Sequence, residues 1–174
     1  MMPRISVVLP TRDRAALLAD CLMSLTRQTI PADAFEVLVV DNGSTDDTLH
    51  VVRNFSSCLA LRCVAAPEPG LHIGRHAGMR EARTDLLVFG DDDIVADPGW
   101  LASIDAAFRD AAVVLVGGNN HPLFEVPPPA WLLRWWERPV SGGRALGQLS
   151  ILDLGEGEFD IDPLALGDVA RKAD

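Results

Sequence analysis

Residues 86–98 read Leu86-Leu87-Val88-Phe89-Gly90-Asp91-Asp92-Asp93-Ile94-Val95-Ala96-Asp97-Pro98, an apolar run set almost directly against three consecutive carboxylates. Leu86 to Phe89 is short, apolar and followed by turn residues, the pattern of a buried strand. Adjacent aspartates at its carboxyl end repel one another, which destabilises the chain unless a cation or hydrogen-bond donors offset the charge. A hard divalent cation is a natural offset, because it takes oxygen ligands, usually one or two carboxylates together with substrate phosphates. The competing reading is a solvated acidic turn that caps the next helix. Pro98 suits the first position of that helix, with Asp97 as its cap and Trp100, Leu101, Ile104 and Phe108 as its apolar face.

Working outward, the same alternation recurs. Ile5 to Leu9 is a β-branched apolar run stopped by Pro10, and Asp13 can cap a helix in which Leu17, Leu18, Cys21, Leu22 and Leu25 recur at helical spacing. Pro31 breaks that helix. Phe35 to Val40 is a second buried strand, closed by the turn Asp41-Asn42-Gly43-Ser44, and Thr45 or Asp46 can cap a helix running to about Phe55. Leu59 to Ala65 is a weaker third strand. A loop with Pro67, Pro69 and Gly70 leads to a polar helix over 73–82, and Val113 to Val116 reads as a fifth strand. Strands alternating with helices predict an α/β fold, a three-layer α/β/α sandwich around a mostly parallel sheet. In such sheets ligands bind at the carboxyl ends of the strands. Polar clusters stand at three such ends: Thr11-Arg12-Asp13, Asp41-Asn42 and Asp91-Asp92-Asp93.

Composition bounds the rest. At 174 residues, 48% hydrophobic and 23% charged, the chain has the make-up of an ordinary globular domain. A net charge of -10 disfavours nucleic acid as a partner but permits a nucleotide, since a bound divalent cation offsets phosphate charge locally. The odd count of three cysteines, Cys21, Cys58 and Cys63, reads as buried free thiols in a reducing compartment. The opening apolar run is too short for a signal peptide, and no stretch approaches the ~18 apolar residues of a membrane span. The expectation is a soluble cytoplasmic chain, compatible with a place at the inner face of a membrane. Residues 1–120 read as the α/β domain. Residues 121–174, with Pro127 to Pro129, Trp131, Trp135, Trp136 and an acidic tail, read as loops and short elements packed on it. The tryptophans suit packing, a sugar-stacking surface or a membrane interface.

The candidate site residues carry competing readings. Asp41 can accept hydrogen bonds from a base or ribose, yet Asp-Asn-Gly-Ser is also good turn chemistry, and Ser44 to Asp47 has capping-box spacing. The first strand-to-helix turn, Pro10-Thr11-Arg12-Asp13-Arg14, has no glycine. It therefore matches neither the dinucleotide fingerprint nor the P-loop, and phosphate must be held in another way. Arg75 can neutralise a phosphate or stand as a surface arginine. His72, His76 and His121 show no ligand spacing. A phosphohydrolase would place its Asp-x-Asp on the first strand, and a nucleotidyltransferase would show a glycine-rich loop there; neither is seen.

Together these stretches resemble family 2 glycosyltransferases with their GT-A nucleotide-diphospho-sugar transferase fold. ISVVLPTRDRAALLADCLMSLTRQTIP resembles the family's opening strand and helix, and FEVLVVDNGSTDDT its second strand and acidic turn. EPGLHIGRHAGMREARTDLLVFGDDDIVADPGWL is similar to the segment leading into its metal-binding D-x-D motif. The likeness spans about residues 4–118; the Val-Gly-Gly at 116–118 and the later PPPAWL are similar to a stretch seen in some bacterial members. The resemblance implies that Pro10, Thr11 and Asp13 line a nucleoside pocket and that Asp41 contacts the base. It implies that Arg75 approaches the base or diphosphate. Asp91 would hold ribose or a metal-bound water, and Asp93 would ligate the metal. Asp91 also belongs to the implied metal set, and Asp92 to the nucleotide-binding set. The implied cofactor is Mn2+ or Mg2+. The implied partners are a nucleotide-diphosphate sugar, a UDP-sugar before others, and a saccharide or lipid-linked acceptor, with room for peripheral membrane association and a homodimer.

Four positions depart from the family pattern. Arg12 stands where an aromatic is common, Asp13 and His76 where Asn is common, and Gly90 where an apolar residue is usual. Direct displacement with inversion needs a carboxylate base, which the family carries on its acceptor half. The expectation is that this chain ends before that point, since PLALGDVARKAD (163–174) resembles only the approach to the acceptor segment. Glu156, Glu158, Asp160, Asp162 and Asp168 are candidates by type alone, and no base is assigned. The alternative to an active transferase is a truncated or degenerate module that binds nucleotide sugar without turnover.

Overall fold

A computed structural model describes residues 3–137, 144–146, 151–153 and 155. The chain divides into two compact units, residues 1–114 and 115–174.

The first unit is built on a four-stranded parallel sheet of β1 (Ile5–Thr11), β2 (Phe35–Asp41), β3 (Leu61–Ala65) and β4 (Leu86–Phe89), in the order β3-β2-β1-β4. β1 is buried throughout and β2 up to its last residue, because helices cover both faces; hence their continuous apolar runs. On one face Ile5, Val7 and Leu9 pack with Val37 and Val39 against Leu18, Cys21, Leu22 and Leu25 of α1 (Ala15–Leu25), Val52 of α2 (Thr48–Phe55) and Leu101 of α4 (Trp100–Ala107). On the other face Val8, Leu38 and Val40 form a smaller core with Ala66, joined by Ala77 of α3 (Leu71–Glu81). Alternation along each strand thus sends successive side chains to opposite layers.

Helix α3 approaches the sheet closely because two of its glycines face it. A Cβ on Gly78 would overlap Val8 Cγ1, and one on Gly74 would stand 2.6 Å from Asn42 Oδ1 and 2.9 Å from Pro10 Cβ. A small residue every fourth position therefore sets the distance between helix and sheet.

Several expectations are corrected. β1 runs through Pro10 to Thr11 instead of stopping at the proline. Val8 O accepts from Gly90 N and Thr11 O from Asn42 N, so alternate residues face β4 and β2. Pro10, two residues beyond Val8, turns its missing N–H to the β4 side, where strand pairing ends at Val8–Phe89. Asp13 does not cap α1, and Ser44 forms no capping box. Asp46 instead accepts from Ala15 N at 2.9 Å and from Thr48 N at 3.0 Å, serving the starts of α1 and α2 with one carboxylate. β3 begins at Leu61, α3 at Leu71, and α4 at Trp100, two residues beyond Pro98. Residues 113–116 form no strand: Val114 and Leu115 are 88% and 74% exposed, and among the described residues no strand pairs with them. Of the cysteines only Cys21 is buried, and Cys58 and Cys63 are exposed, all of them free thiols.

In the second unit α5 (Ala130–Trp136) follows the three prolines, and Trp131 meets Trp135 edge to face at 5.7 Å. β5 (Arg144–Leu146) pairs antiparallel with β6 (Ile151–Asp153). Among the described residues, no helix is long and apolar enough to cross a membrane.

Candidate functional site

Because the strands are parallel, the ends of β1, β2 and β4 emerge at one edge of the sheet. β1 lies between the other two, Thr11 in register with Asp41, and the β4 chain runs on past Phe89 into the aspartates. Here an open cleft of about 390 Å³ is lined by Pro10, Thr11, Arg12, Arg14, Asn42, Gly70, Leu71, Asp91, Asp92 and Asp93. Pro10, Thr11 and the three aspartates thus come together at one cleft. Asp13, Asp41 and Arg75 stand near these walls without lining the cleft.

The aspartates do not share one environment. Asp92 is 3% exposed and accepts from Thr11 Oγ1 at 2.6 Å and Arg14 Nη1 at 2.7 Å. Burial pushes its pKa up, against the opposing pull of the Thr11 hydroxyl and the Arg14 charge. Asp91 and Asp93 have side chains 49% and 45% exposed. Arg75 Nη2 donates to Asp91 Oδ1 at 2.9 Å, and Arg14 Nη2 to Asp93 Oδ2 at 2.8 Å. The middle residue of the motif thus anchors it to β1 and α1, while its two neighbours present oxygen to the cleft.

The surrounding turns hold this edge in place. Asp41 Oδ1 accepts from Ser44 N at 2.8 Å, closing the turn after β2. Asp13 has φ +52°, a left-handed conformation that Asn and Asp tolerate better than most residues. That shared tolerance accounts for Asp where the family resemblance implies Asn. The Asp13 carboxylate accepts from Thr45 N at 2.6 Å, and this bond holds it below the usual carboxylate range. Asn42 reaches Ala66 O at 3.0 Å and Glu68 O at 3.3 Å, tying β2 to the loop before α3. Gly90 fits because a Cβ there would come within 2.9 Å of Leu9 Cδ2.

Sequence reasoning missed Arg12, Arg14, Asn42, Gly70 and Leu71 as cleft residues. Arg14 carried a readable signal, a cation at the tip of the first strand facing an acidic motif at the tip of another. Among the described residues Arg75 Nε is buried without a hydrogen-bond partner, so this arginine is only partly satisfied by Asp91. Glu156, Glu158, Asp160, Asp162 and Asp168 lie outside the described residues.

The cleft can be tested for a divalent cation. Among the described residues no three acidic, histidine or cysteine side chains converge closely enough to hold one unaided. Asp91 and Asp93 nonetheless offer hard oxygen donors at the cleft, and two guanidiniums stand against them as resident positive charge. This donor set fits a cation that completes its coordination on the phosphates of a ligand.

A parallel α/β sheet with an acidic D-x-D segment at its carboxyl edge defines the nucleotide-sugar transferase class of fold. The chain belongs to Glycosyl transferase family 2, whose sequence profile matches residues 6–154. It is similar to the validoxylamine A glucosyltransferase of Streptomyces hygroscopicus subsp. jinggangensis, 42% identical over 168 residues and covering 87% of this chain and 40% of that protein. It is also similar to the glycosyltransferase AglE of Haloferax volcanii, 35% identical over 120 residues, with 68% of this chain and 40% of that one covered. Among solved structures, the mannosyltransferase PcManGT of Pyrobaculum calidifontis in complex with GDP-Man and Mn2+ superposes with a TM-score of 0.58 at 29% identity, covering 70% of this chain and 36% of that one. S. aureus TarS 1-349 in complex with UDP-GlcNAc gives 0.57 at 29% identity, covering 62% and 31%. The chain therefore spans about 40% of the length of the curated relatives named here.

Proposed function

We propose that residues 3–114 form the donor-binding half of an inverting, metal-dependent glycosyltransferase that moves a sugar from a nucleoside diphosphate to a saccharide or lipid-linked acceptor. The observation that carries this reading is the pair of half-exposed carboxylates, Asp91 and Asp93, set in the cleft with Arg12 and Arg14 on its wall and Arg75 beside it. These arginines are guanidinium donors that a diphosphate can use, and because the aspartates beside them leave no net positive charge, a cation would have to arrive with it. The relatives solved with UDP-GlcNAc and with GDP-Man and Mn2+ support the same ligand class.

Pro10, Thr11 and Asp13 would shape the nucleoside pocket, and Asp41 would receive the base. Arg12 offers a planar guanidinium able to stack on a base, in place of the family's aromatic. Arg75, with an unmet Nε–H, has reason to turn toward an incoming phosphate. Asp92 would act through Thr11 and Arg14 and not by touching the nucleotide itself. Asp91 and Asp93 would hold Mn2+ or Mg2+, which when bound supplies Lewis-acid stabilisation of the departing diphosphate. Residues beyond 114 would bear on the acceptor.

Calorimetry with UDP in Mn2+ and in EDTA tests the donor site: binding is expected in Mn2+, and equal affinity in EDTA rejects the cation. Product formation across a panel of donor sugars and acceptors then separates turnover from binding alone, since release of nucleoside diphosphate without product shows only donor hydrolysis.

A further inference from the structure

We infer that Arg14 is the resident counter-cation of the acidic motif, and that it must release Asp93 before a divalent cation can bind, so that cation and diphosphate bind together and not singly. This rests on the donor-binding reading above and adds the coupling between its two ligands.

Arg14 spans two carboxylates with the two ends of one guanidinium, Nη1 on Asp92 and Nη2 on Asp93. The two ends are unequal. Asp92 is buried and fixed from its other side by the Thr11 hydroxyl, whereas Asp93 is 45% exposed at the cleft. The Asp92 end is therefore an anchor and the Asp93 end the one that can let go. Charge sets the condition for letting go. Three carboxylates face two guanidiniums, Arg14 and Arg75, and the cluster keeps a single formal negative charge. A divalent cation arriving alone meets a cluster already largely neutralised and must displace a guanidinium end that then has only water as its partner. A diphosphate arriving with the cation offers that guanidinium new acceptor oxygens. Arg14, in the lining of the same cleft, can then exchange Asp93 for phosphate while staying anchored on Asp92.

The experiment measures Mn2+ affinity by calorimetry and water-proton relaxation, without UDP and at saturating UDP, for the wild type, Arg14→Gln and Arg14→Lys. In the wild type UDP is expected to raise Mn2+ affinity about tenfold or more, a coupling of about 1.4 kcal/mol. Arg14→Gln should bind Mn2+ alone about tenfold more tightly than the wild type and gain less from UDP, whereas Arg14→Lys, which keeps the charge, should resemble the wild type. Unchanged or weaker binding of Mn2+ alone by Arg14→Gln overturns the inference, while wild-type binding of Mn2+ with UDP leaves the donor reading standing. A wild type that binds no UDP in Mn2+ or EDTA overturns the donor reading instead, and Mn2+ binding by Arg14→Gln still decides the counter-cation. Should Arg14→Gln fail to fold, a wild-type structure with Mn2+ and UDP decides: Nη2 away from Asp93 supports the exchange, and a retained hydrogen bond overturns it.

Discussion

Replacing Asp92 by alanine should unfold the chain more readily than replacing either of its acidic neighbours, although all three belong to the same motif. Thr11 is 3% exposed, so its hydroxyl would lose its acceptor with little access to water, at about 1–3 kcal/mol. Arg14 loses less: its side chain is 43% exposed and it keeps Asp93, so the discount for solvent leaves under about 1 kcal/mol. Against these stands relief from desolvation, because burial already pushes the Asp92 pKa up and penalises its charge. The balance is about 2 kcal/mol for Asp92→Ala, a fall in Tm of about 4–8 °C for a chain of this size. Asp92→Asn, which keeps an acceptor for Thr11 but turns an amide toward Arg14, should lose about half as much. Asp93→Ala, at a half-exposed position, should stay within about 0.5 kcal/mol of the wild type.

Thermal denaturation followed by circular dichroism at pH 7 measures all three. A cycle with Thr11→Val isolates the buried hydrogen bond, which should show a coupling of about 1 kcal/mol. If Asp92→Ala melts with the wild type while Asp93→Ala falls, the division of the motif into anchor and cleft-facing residues is wrong.

Asp93→Ala should fold normally yet lose Mn2+-dependent UDP binding; retained binding that still responds to EDTA would move the cation elsewhere. Gly78→Ala should destabilise despite its better helix propensity, because the new methyl overlaps Val8, a β-branched residue with little freedom to move. Overpacking of about 2–3 kcal/mol outweighs a propensity gain of about 1 kcal/mol, and a Tm at or above the wild type would refute the close approach of α3. Glu36 is buried at the opposite end of β2. Burial raises its pKa, but donation from Ser6 Oγ at 2.7 Å and Arg83 N at 2.8 Å, with Arg62 alongside, brings it below its ordinary value. Its stabilisation is therefore full above the unfolded carboxyl pKa of about 4.3 and is lost as pH falls through the lower folded value. Glu36→Gln should lie about 1–3 kcal/mol below the wild type at pH 7, with the gap closing below about pH 4; melts from pH 7 to pH 3 that show a constant gap would exclude this account.

How much of this was legible follows from which forces are local. Both central strands and α1 are written in their hydrophobic spacing, and the aspartates after β4 are written as residue types. Their placement at one sheet edge follows from alternating strands and helices alone, since parallel strands must end on the same side. What the spacing could not show was partnership across the chain. Asp13 and Asp46 each have cap chemistry next to a helix. The one that bonds Ala15 N is 31 residues away in sequence, because the turn after β2 lies beside the turn after β1. Pro10 reads as a strand end until the neighbour on its β4 side is known to have stopped. Val113 to Val116 has strand composition, yet among the described residues it pairs with neither edge strand, β3 or β4.

The acidic motif is the clearest instance. Three identical residues in a row carry no pattern that says which one turns inward. The choice is made by Thr11 and Arg14, contributed from about 80 positions earlier in the chain, whose two donors fit a single buried carboxylate. Once the middle residue is fixed this way, the turn at Asp92 and Asp93 leaves Asp91 and Asp93 half-exposed at the cleft. The spacing of an oxygen pair around an inert middle position is thus a consequence of that anchor. An arginine able to hold the anchor and one member of the pair together makes the site's charge balance part of its geometry.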